Sequence, residues 1–186
     1  MNADHVHNGL GAAIKALTDV VAPSLDADDP LAREQLQLVV DYLDLVRSRT
    51  DLLWDRERVT LRHYLAMAEA IGEVPEAAAP SLAGAVVTGR RTLADPEAGV
   101  RPLRDAGGAL AAALSELVRA LGAPDADPAL RARVEAIVVD ASDTLVEVER
   151  AWYLPLGFDP EPEAVAPVED VLADAGAALA AGRRPG

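Results

Sequence analysis

The fold is decided by residues 30–71, which read PLAREQLQLVVDYLDLVRSRTDLLWDRERVTLRHYLAMAEAI. The preceding Asp28-Asp29 and Pro30 are typical of a helix start, because aspartate accepts unpaired amide hydrogens and proline fits the first helical position. Polar residues then recur at alternating spacings of three and four, which places them on one face. They are Glu34, Gln37, Asp41, Asp44, Ser48, Asp51, Asp55, Arg58 and Arg62. This stripe keeps its phase throughout, which predicts one continuous helix over 30–71.

The opposite face of this helix carries two neighbouring apolar seams that we expect to be buried. The first half is almost wholly apolar, with Leu38, Val39, Tyr42, Leu43, Leu45 and Val46. The second half places polar groups at core positions: Arg49, Arg56, Glu57, His63 and Tyr64. Buried charges are costly unless they are paired. The face therefore either opens to solvent, with arginine stems covering apolar surface, or lines a groove for a ligand or partner.

The remaining chain predicts shorter helices packed against the long one. Their expected spans are 3–22, 80–94, 102–121, 128–153 and 167–182, separated by segments that contain proline or glycine. Alanine- and leucine-rich segments without strand-like alternation favour helix over sheet. We therefore expect an all-α bundle of five to six helices without a sheet. Its 186 residues are most simply one domain over 1–182, followed by a loose tail at 183–186.

The composition excludes several classes of function. A net charge of −14 argues against nucleic-acid and anionic-membrane binding. The absence of cysteine excludes disulfides and cysteine-based zinc sites. The basic residues are nearly all arginine, as in a GC-rich bacterial gene. The amino terminus lacks the basic start and apolar run of a signal peptide, and no uncharged stretch is long enough to span a membrane, so we expect a cytoplasmic protein.

A search for catalytic and cofactor motifs predicts no catalytic residue, no cofactor and no metal ion. The chain lacks Glu-x-x-His pairs, phosphate-binding glycine loops and nucleophile elbows. His5 and His7 lie two apart, a spacing that does not aim both at one ion from a helix. The candidate ligand-binding residues are Arg49, Arg56, His63 and Tyr64 on the long helix, with Glu149 on a later helix within reach of either arginine.

The opening helix followed by Val21-Ala22-Pro23-Ser24-Leu25 resembles small helical proteins of actinobacterial acyl-CoA metabolism, over little of the chain. Apart from this resemblance, the absence of catalytic and cofactor motifs and the placement of charges leave two hypotheses of function. The preferred one is a non-catalytic accessory or protein-interaction protein. The alternative is a helical protein or enzyme that binds an organic acid or acyl thioester, with arginines holding the acidic group and His63 titrating near neutral pH.

The length of the predicted helix bears on assembly. A continuous helix over 30–71 would be about 60 Å long, more than a compact domain of this size spans. Either it bends near Ser48–Thr50, or its projecting second half packs against a second copy. The unbroken polar stripe favours a homodimer, in which Arg49, Arg56 and Glu57 would form ion pairs between copies.

Overall fold

The structure, a computed structural model, describes residues 3–180, with side chains over 5–179. Its α-helices are α1 (Ala3–Ala16), α2 (Ala22–Ser24), α3 (Pro30–Arg49), α4 (Leu53–Ile71), α5 (Leu82–Ala94), α6 (Val100–Leu121), α7 (Pro128–Tyr153) and α8 (Val168–Ala180). Short turns join α1 to α2 and α3 to α4, so residues 3–180 contain six helical runs and no strand. The prediction of an all-α fold with five to six helices and no sheet is confirmed.

The chain divides into two compact units. Unit 1 comprises Met1–Leu53 and Arg150–Val165, and unit 2 comprises Trp54–Glu149 and Ala166–Gly186. The single domain expected over 1–182 stays a prediction. The expected end of the last helix at Gly182 and the tail at 183–186 lie outside the described residues.

The continuity predicted for residues 30–71 is corrected by the structure. α3 ends at Arg49, a 3₁₀ turn covers Thr50–Leu52, and α-helix resumes at Leu53. Arg49 has φ −106° and ψ −4°, outside the range of a regular α-helix. On either side of it, Ser48 Oγ donates to the Leu45 carbonyl and Thr50 Oγ1 donates to the Val46 carbonyl, both at a distance of 2.9 Å. Hydroxyls that bond these carbonyls compete with regular helical hydrogen bonding, a local effect that the polar periodicity does not report.

The first helical run also differs from the prediction. Pro23 was expected to end it, but α1 continues through a π-helical turn at Leu17–Val21 into α2. The Ala22 amide donates to the Leu17 carbonyl, five residues back. Proline has no amide hydrogen and is tolerated in the first turn of a helical segment, where Pro23 lies. The later helices begin within two residues of their predicted starts.

Unit 1 is built on the packing of α1 against α3. His7 Nε2 lies 3.3 Å from Arg47 Nη1, and Arg47 also binds Asp44 within α3. The segment after α7 folds back as two 3₁₀ turns, Leu154–Leu156 and Pro162–Ala164. Arg150 holds it by donating to both carboxylate oxygens of Asp159, over 2.9 and 3.0 Å.

Unit 2 has a core of aliphatic side chains in which α4 is buried on two opposite faces. One face carries Leu61, Leu65 and Ala68, and the other carries Val59, His63 and Met67. A β-carbon at Gly107 would lie 3.8 Å from the Leu61 Cα, so the backbones of α6 and α4 approach closely there. A β-carbon at Gly89 of α5 would lie 3.2 Å from a methyl group of Leu65 and 3.3 Å from one of Leu61. α4 is therefore the central helix of this unit.

Candidate functional site

Arg49 closes the carboxyl end of α7 within unit 1. Its Nε donates to the Trp152 carbonyl and its Nη2 donates to the Ala151 carbonyl, each at a distance of 3.2 Å. Its guanidinium carbon also lies 5.8 Å from the centre of the Trp152 ring. A cation is favoured at this end of a helix, where the last carbonyls lack helical partners. Arg49 thus serves α7 as a cap for its final carbonyls.

Arg56 and Glu57, next along the chain, form ion pairs within unit 2. Arg56 Nη2 donates to Glu149 Oε1 at a distance of 2.6 Å, and Arg104 Nε donates to Glu57 Oε1 at a distance of 2.8 Å. Arg49, Arg56 and Glu57 therefore each bind groups of their own chain, and their expected pairing between two copies stays a prediction. Apolar periodicity could not identify partners that lie tens of residues away.

His63 and Tyr64 meet edge to face, with ring centres 5.5 Å apart. His63 is only 3% exposed, and its Nε2 is buried without a hydrogen-bond partner. Burial lowers the pKa of His63 from 6.5 to about 4, since an apolar environment disfavours the charged imidazolium. The pKa of Tyr64 is raised, chiefly by burial and further by the nearby Glu149 carboxylate. His63 is therefore neutral at pH 7, which argues against its proposed titration near neutrality.

The five predicted ligand-binding residues thus belong to different units. Arg49 lies in unit 1, and Arg56, His63, Tyr64 and Glu149 lie in unit 2. Within unit 2 the structure brings Arg56 to Glu149 and His63 to Tyr64. Both arginines already donate to oxygen atoms of the chain, so an acidic ligand would have to compete with those bonds. Their role as a ligand site stays a prediction.

A different surface stands out on α3 of unit 1. Five large apolar side chains on one side of the helix are each between 38% and 63% exposed: Leu31, Leu38, Val39, Tyr42 and Val46. We call them the α3 apolar face. The sequence predicts this face as apolar, but the expectation of burial is wrong for Leu38, Val39, Tyr42 and Val46, whereas Leu31 was not part of that expectation. α1 instead packs near Arg47, on another side of α3. Helical periodicity identifies an apolar face without identifying what covers it.

A cavity of about 1010 Å³ in unit 2 has no counterpart in the sequence prediction. It lies between the end of α4, the connection 72–81 and the first turns of α5, and we call it the α4–α5 groove. Three glutamates and one arginine line it together with aliphatic side chains. The only signal in the sequence was the Gly72-Glu73-Val74-Pro75 break, which predicted a connection but not a concave surface.

Over residues 3–180, no helix combines the length and the apolar character needed to cross a membrane. In the same described part, no group of three or more histidines, aspartates and glutamates is placed to hold a metal ion. Comparisons with protein-family models, with curated proteins and with solved structures find no match to this chain.

Proposed function

We propose that this chain is a non-catalytic accessory protein that acts through protein–protein contacts, with the α3 apolar face as its main contact surface. The observation that carries the proposal is the exposure of five large apolar side chains on one side of a single helix. Scattered exposed apolar residues are common on protein surfaces, whereas a contiguous set marks an interaction site. Burial against a partner would remove this surface from water, which is favourable roughly in proportion to its area.

The partner that fits this face is a second copy of the chain. The chain carries a net charge of −14, so two copies repel each other through most of their surface. The α3 apolar face has no charged member, and the residue one turn from Leu31 and Leu38 is the neutral Gln35. A two-fold axis would lay two such faces together, antiparallel, over the roughly 30 Å of α3. Antiparallel helices also oppose their dipoles favourably.

This proposal moves the contact from the second half of residues 30–71 to the first. The homodimer expected from the sequence used apolar residues beyond the midpoint of the long helix. Val59, Leu61, Leu65 and Ile71 are buried within their own chain. Together with the half-buried Leu52 and Leu53, they leave little surface for a second copy, whereas α3 has five exposed apolar side chains.

Light scattering at low micromolar concentration tests the proposal. The wild-type protein is expected at twice the 19.5 kDa mass of the chain. A Leu38→Glu/Tyr42→Glu variant is expected at the mass of one chain, because charge would be placed inside the apolar contact. The control is Val139→Glu, which adds one charge rather than two at an exposed valine on α7 outside the face. Raising the salt to about 0.5 M should not weaken the dimer, since salt screens the repulsion between acidic copies.

A monomeric wild-type protein would refute the dimer, as would a Leu38→Glu/Tyr42→Glu variant that remains dimeric while folded. Circular dichroism of both variants shows whether the helical fold is retained. Equal loss of the dimer in Val139→Glu would also count against the α3 apolar face, because the effect would then follow added charge alone.

Binding of an organic acid or acyl thioester at Arg56, His63, Tyr64 and Glu149 is a second candidate function. The observation in its favour is the buried His63 Nε2, which has no partner and could bond a ligand. A thermal-shift screen of organic acids and acyl thioesters tests it. A true ligand should stabilise the wild type and not the Arg56→Ala/His63→Ala variant. No stabilisation, or equal stabilisation of both proteins, would refute it.

A further inference from the structure

The walls of the α4–α5 groove are fixed by local structure. α4 ends at Ile71, and Gly72 adopts φ +71°, a left-handed conformation that glycine accepts readily, with its amide bonded to the Ala68 carbonyl. Arg133 donates to the Glu73 carbonyl over 3.2 Å and holds the connection. Ala79 and Leu82 are buried, which anchors the far side. The groove is therefore formed before any partner binds.

The floor of the groove is aliphatic and remains open. It includes Val74, Leu82, Val86 and Val87, and Val87 is 66% exposed. The groove has a volume of about 1010 Å³ and is open to solvent. Amphipathic helices bind in open apolar grooves of this kind through aliphatic anchors spaced along one face.

The rim of the groove is acidic. Glu69 is compensated by Arg90, whose Nε and Nη2 both donate to Glu69 Oε1, over 3.1 and 2.9 Å. Glu73 and Glu76 lie exposed on the connection. The carboxyl end of α4 adds a partial negative charge at the same place. The rim therefore favours cations around an apolar floor.

We propose that the α4–α5 groove binds a basic amphipathic helix of another protein, with aliphatic side chains on Val86 and Val87 and lysine or arginine beside Glu73 and Glu76. The charge of the rim complements such a partner, while the same acidic rim would repel the acidic surface of a second copy. The proposal concerns a different surface from the α3 apolar face and does not depend on self-association through it.

Fluorescence anisotropy with labelled peptides of about 14 residues tests the groove in about 0.1 M salt. The probe peptide carries leucines at helical spacing with lysines beside them. One control peptide has glutamate in place of each lysine, and a second has the same composition in an order that gives no apolar face. The amphipathic basic peptide is expected to bind, and both control peptides are expected to bind at least ~10-fold more weakly.

Variants of the protein come in matched pairs. Glu73→Gln/Glu76→Gln is expected to weaken binding at least ~10-fold, while Glu161→Gln/Glu163→Gln, the same charge change on unit 1, changes it less than ~2-fold. Val87→Asp is expected to weaken binding similarly, while Val139→Asp, at a valine that is 71% exposed on α7, does not. All six substituted residues are exposed, so the fold should persist in each of the four variants.

Three results would overturn the proposal. Equal weakening in the two glutamine variants would show attraction to net charge alone. If the reordered peptide bound equally well, the groove would not be recognising the apolar face of the peptide. Absence of binding by the amphipathic peptide would exclude this class of partner. The two proposals can fail separately. If the groove acts without the dimer, the Leu38→Glu/Tyr42→Glu variant should bind the peptide as tightly as the wild type.

Discussion

Arg56 Nη2 and Glu149 Oε1 lie 2.6 Å apart, joining side chains that are 93 residues apart in the chain. Arg56 is 20% exposed and Glu149 is 47% exposed, so solvent screens the pair only in part. The contact ties α4 to α7 within unit 2. Exposed ion pairs contribute little to stability, while pairs that are shielded from solvent contribute more when their geometry is good.

A double-mutant cycle with Arg56→Met and Glu149→Gln should therefore reveal a modest coupling. We expect a coupling free energy of about 0.5–1 kcal/mol from urea unfolding at pH 7, after allowance for screening on the Glu149 side. Because the cycle subtracts the other contacts of each side chain, it isolates this pair. A coupling of zero within error would mean that the pair contributes nothing to the stability of unit 2.

His63 should make the protein less stable in mild acid. An unfolded histidine takes up a proton near pH 6.5, whereas burial lowers the pKa of folded His63 to about 4. Between these values the unfolded chain binds more protons, so the free energy of unfolding falls as the pH is lowered from 6.5 to 4. The loss should approach about 3 kcal/mol.

Urea unfolding of the wild type and His63→Leu from pH 7 to pH 4 measures this loss. Leucine has a similar volume and leaves no unpaired buried nitrogen, so the variant should be at least as stable at pH 7 and should lose less stability in acid. Parallel pH profiles for the two proteins would contradict the assignment to His63.

Asp159 should stabilise unit 1 down to a lower pH than an aspartate with an ordinary pKa would. Its pKa is lowered from 3.8 to about 2, first by the hydrogen bonds from Arg150 and then by the Glu161 amide. A carboxylate of this kind contributes stability above pH 3.8, and the contribution is lost as the pH falls from 3.8 to 2. In Asp159→Ala, amide hydrogens over 157–165 should exchange faster at pH 5. Glu163→Ala on the same segment is the control, and equal exchange in the two variants would contradict the role of Asp159.

Two glycines of α5 should respond in opposite directions to alanine. Gly84 has open space around it, so Gly84→Ala should stabilise the helix by about 1 kcal/mol. A β-carbon at Gly89 would lie 3.0–3.3 Å from methyl groups of Leu110, Leu65 and Leu61, all of them buried. Gly89→Ala should therefore destabilise by about 1–3 kcal/mol through overpacking. Thermal unfolding of both variants decides it, and equal stabilisation would show that the leucines yield without cost.

The sequence determined the helices and most of their limits, because these follow from local chemistry. Asp29 accepts from the Ala32 amide and Pro30 opens α3, as the Asp-Asp-Pro signal predicts. Asp127 accepts from the Ala129 amide at the start of α7 in the same way. The apolar periodicity also located the apolar face of α3 and the Val59, His63 and Met67 face of α4, but it missed the buried face of Leu61, Leu65 and Ala68. Helix caps and periodicity depend on residues that are only a few positions apart, so they can be identified from the amino-acid sequence alone.

Only the tertiary structure decided how those faces are used. It covered α4 on two sides, at Leu61 through Gly107 and at Val59 near Gly176, and left the α3 apolar face exposed. It gave Arg49 the last carbonyls of α7 and gave Arg56 the Glu149 carboxylate, partners about 100 residues away. A periodic pattern states which side of a helix is apolar, but the cover for that side comes from whichever distant segment packs there. For that reason the sequence alone did not show that Arg49, Arg56 and Glu149 bond within their own chain, or that α3 and the α4–α5 groove offer exposed surfaces.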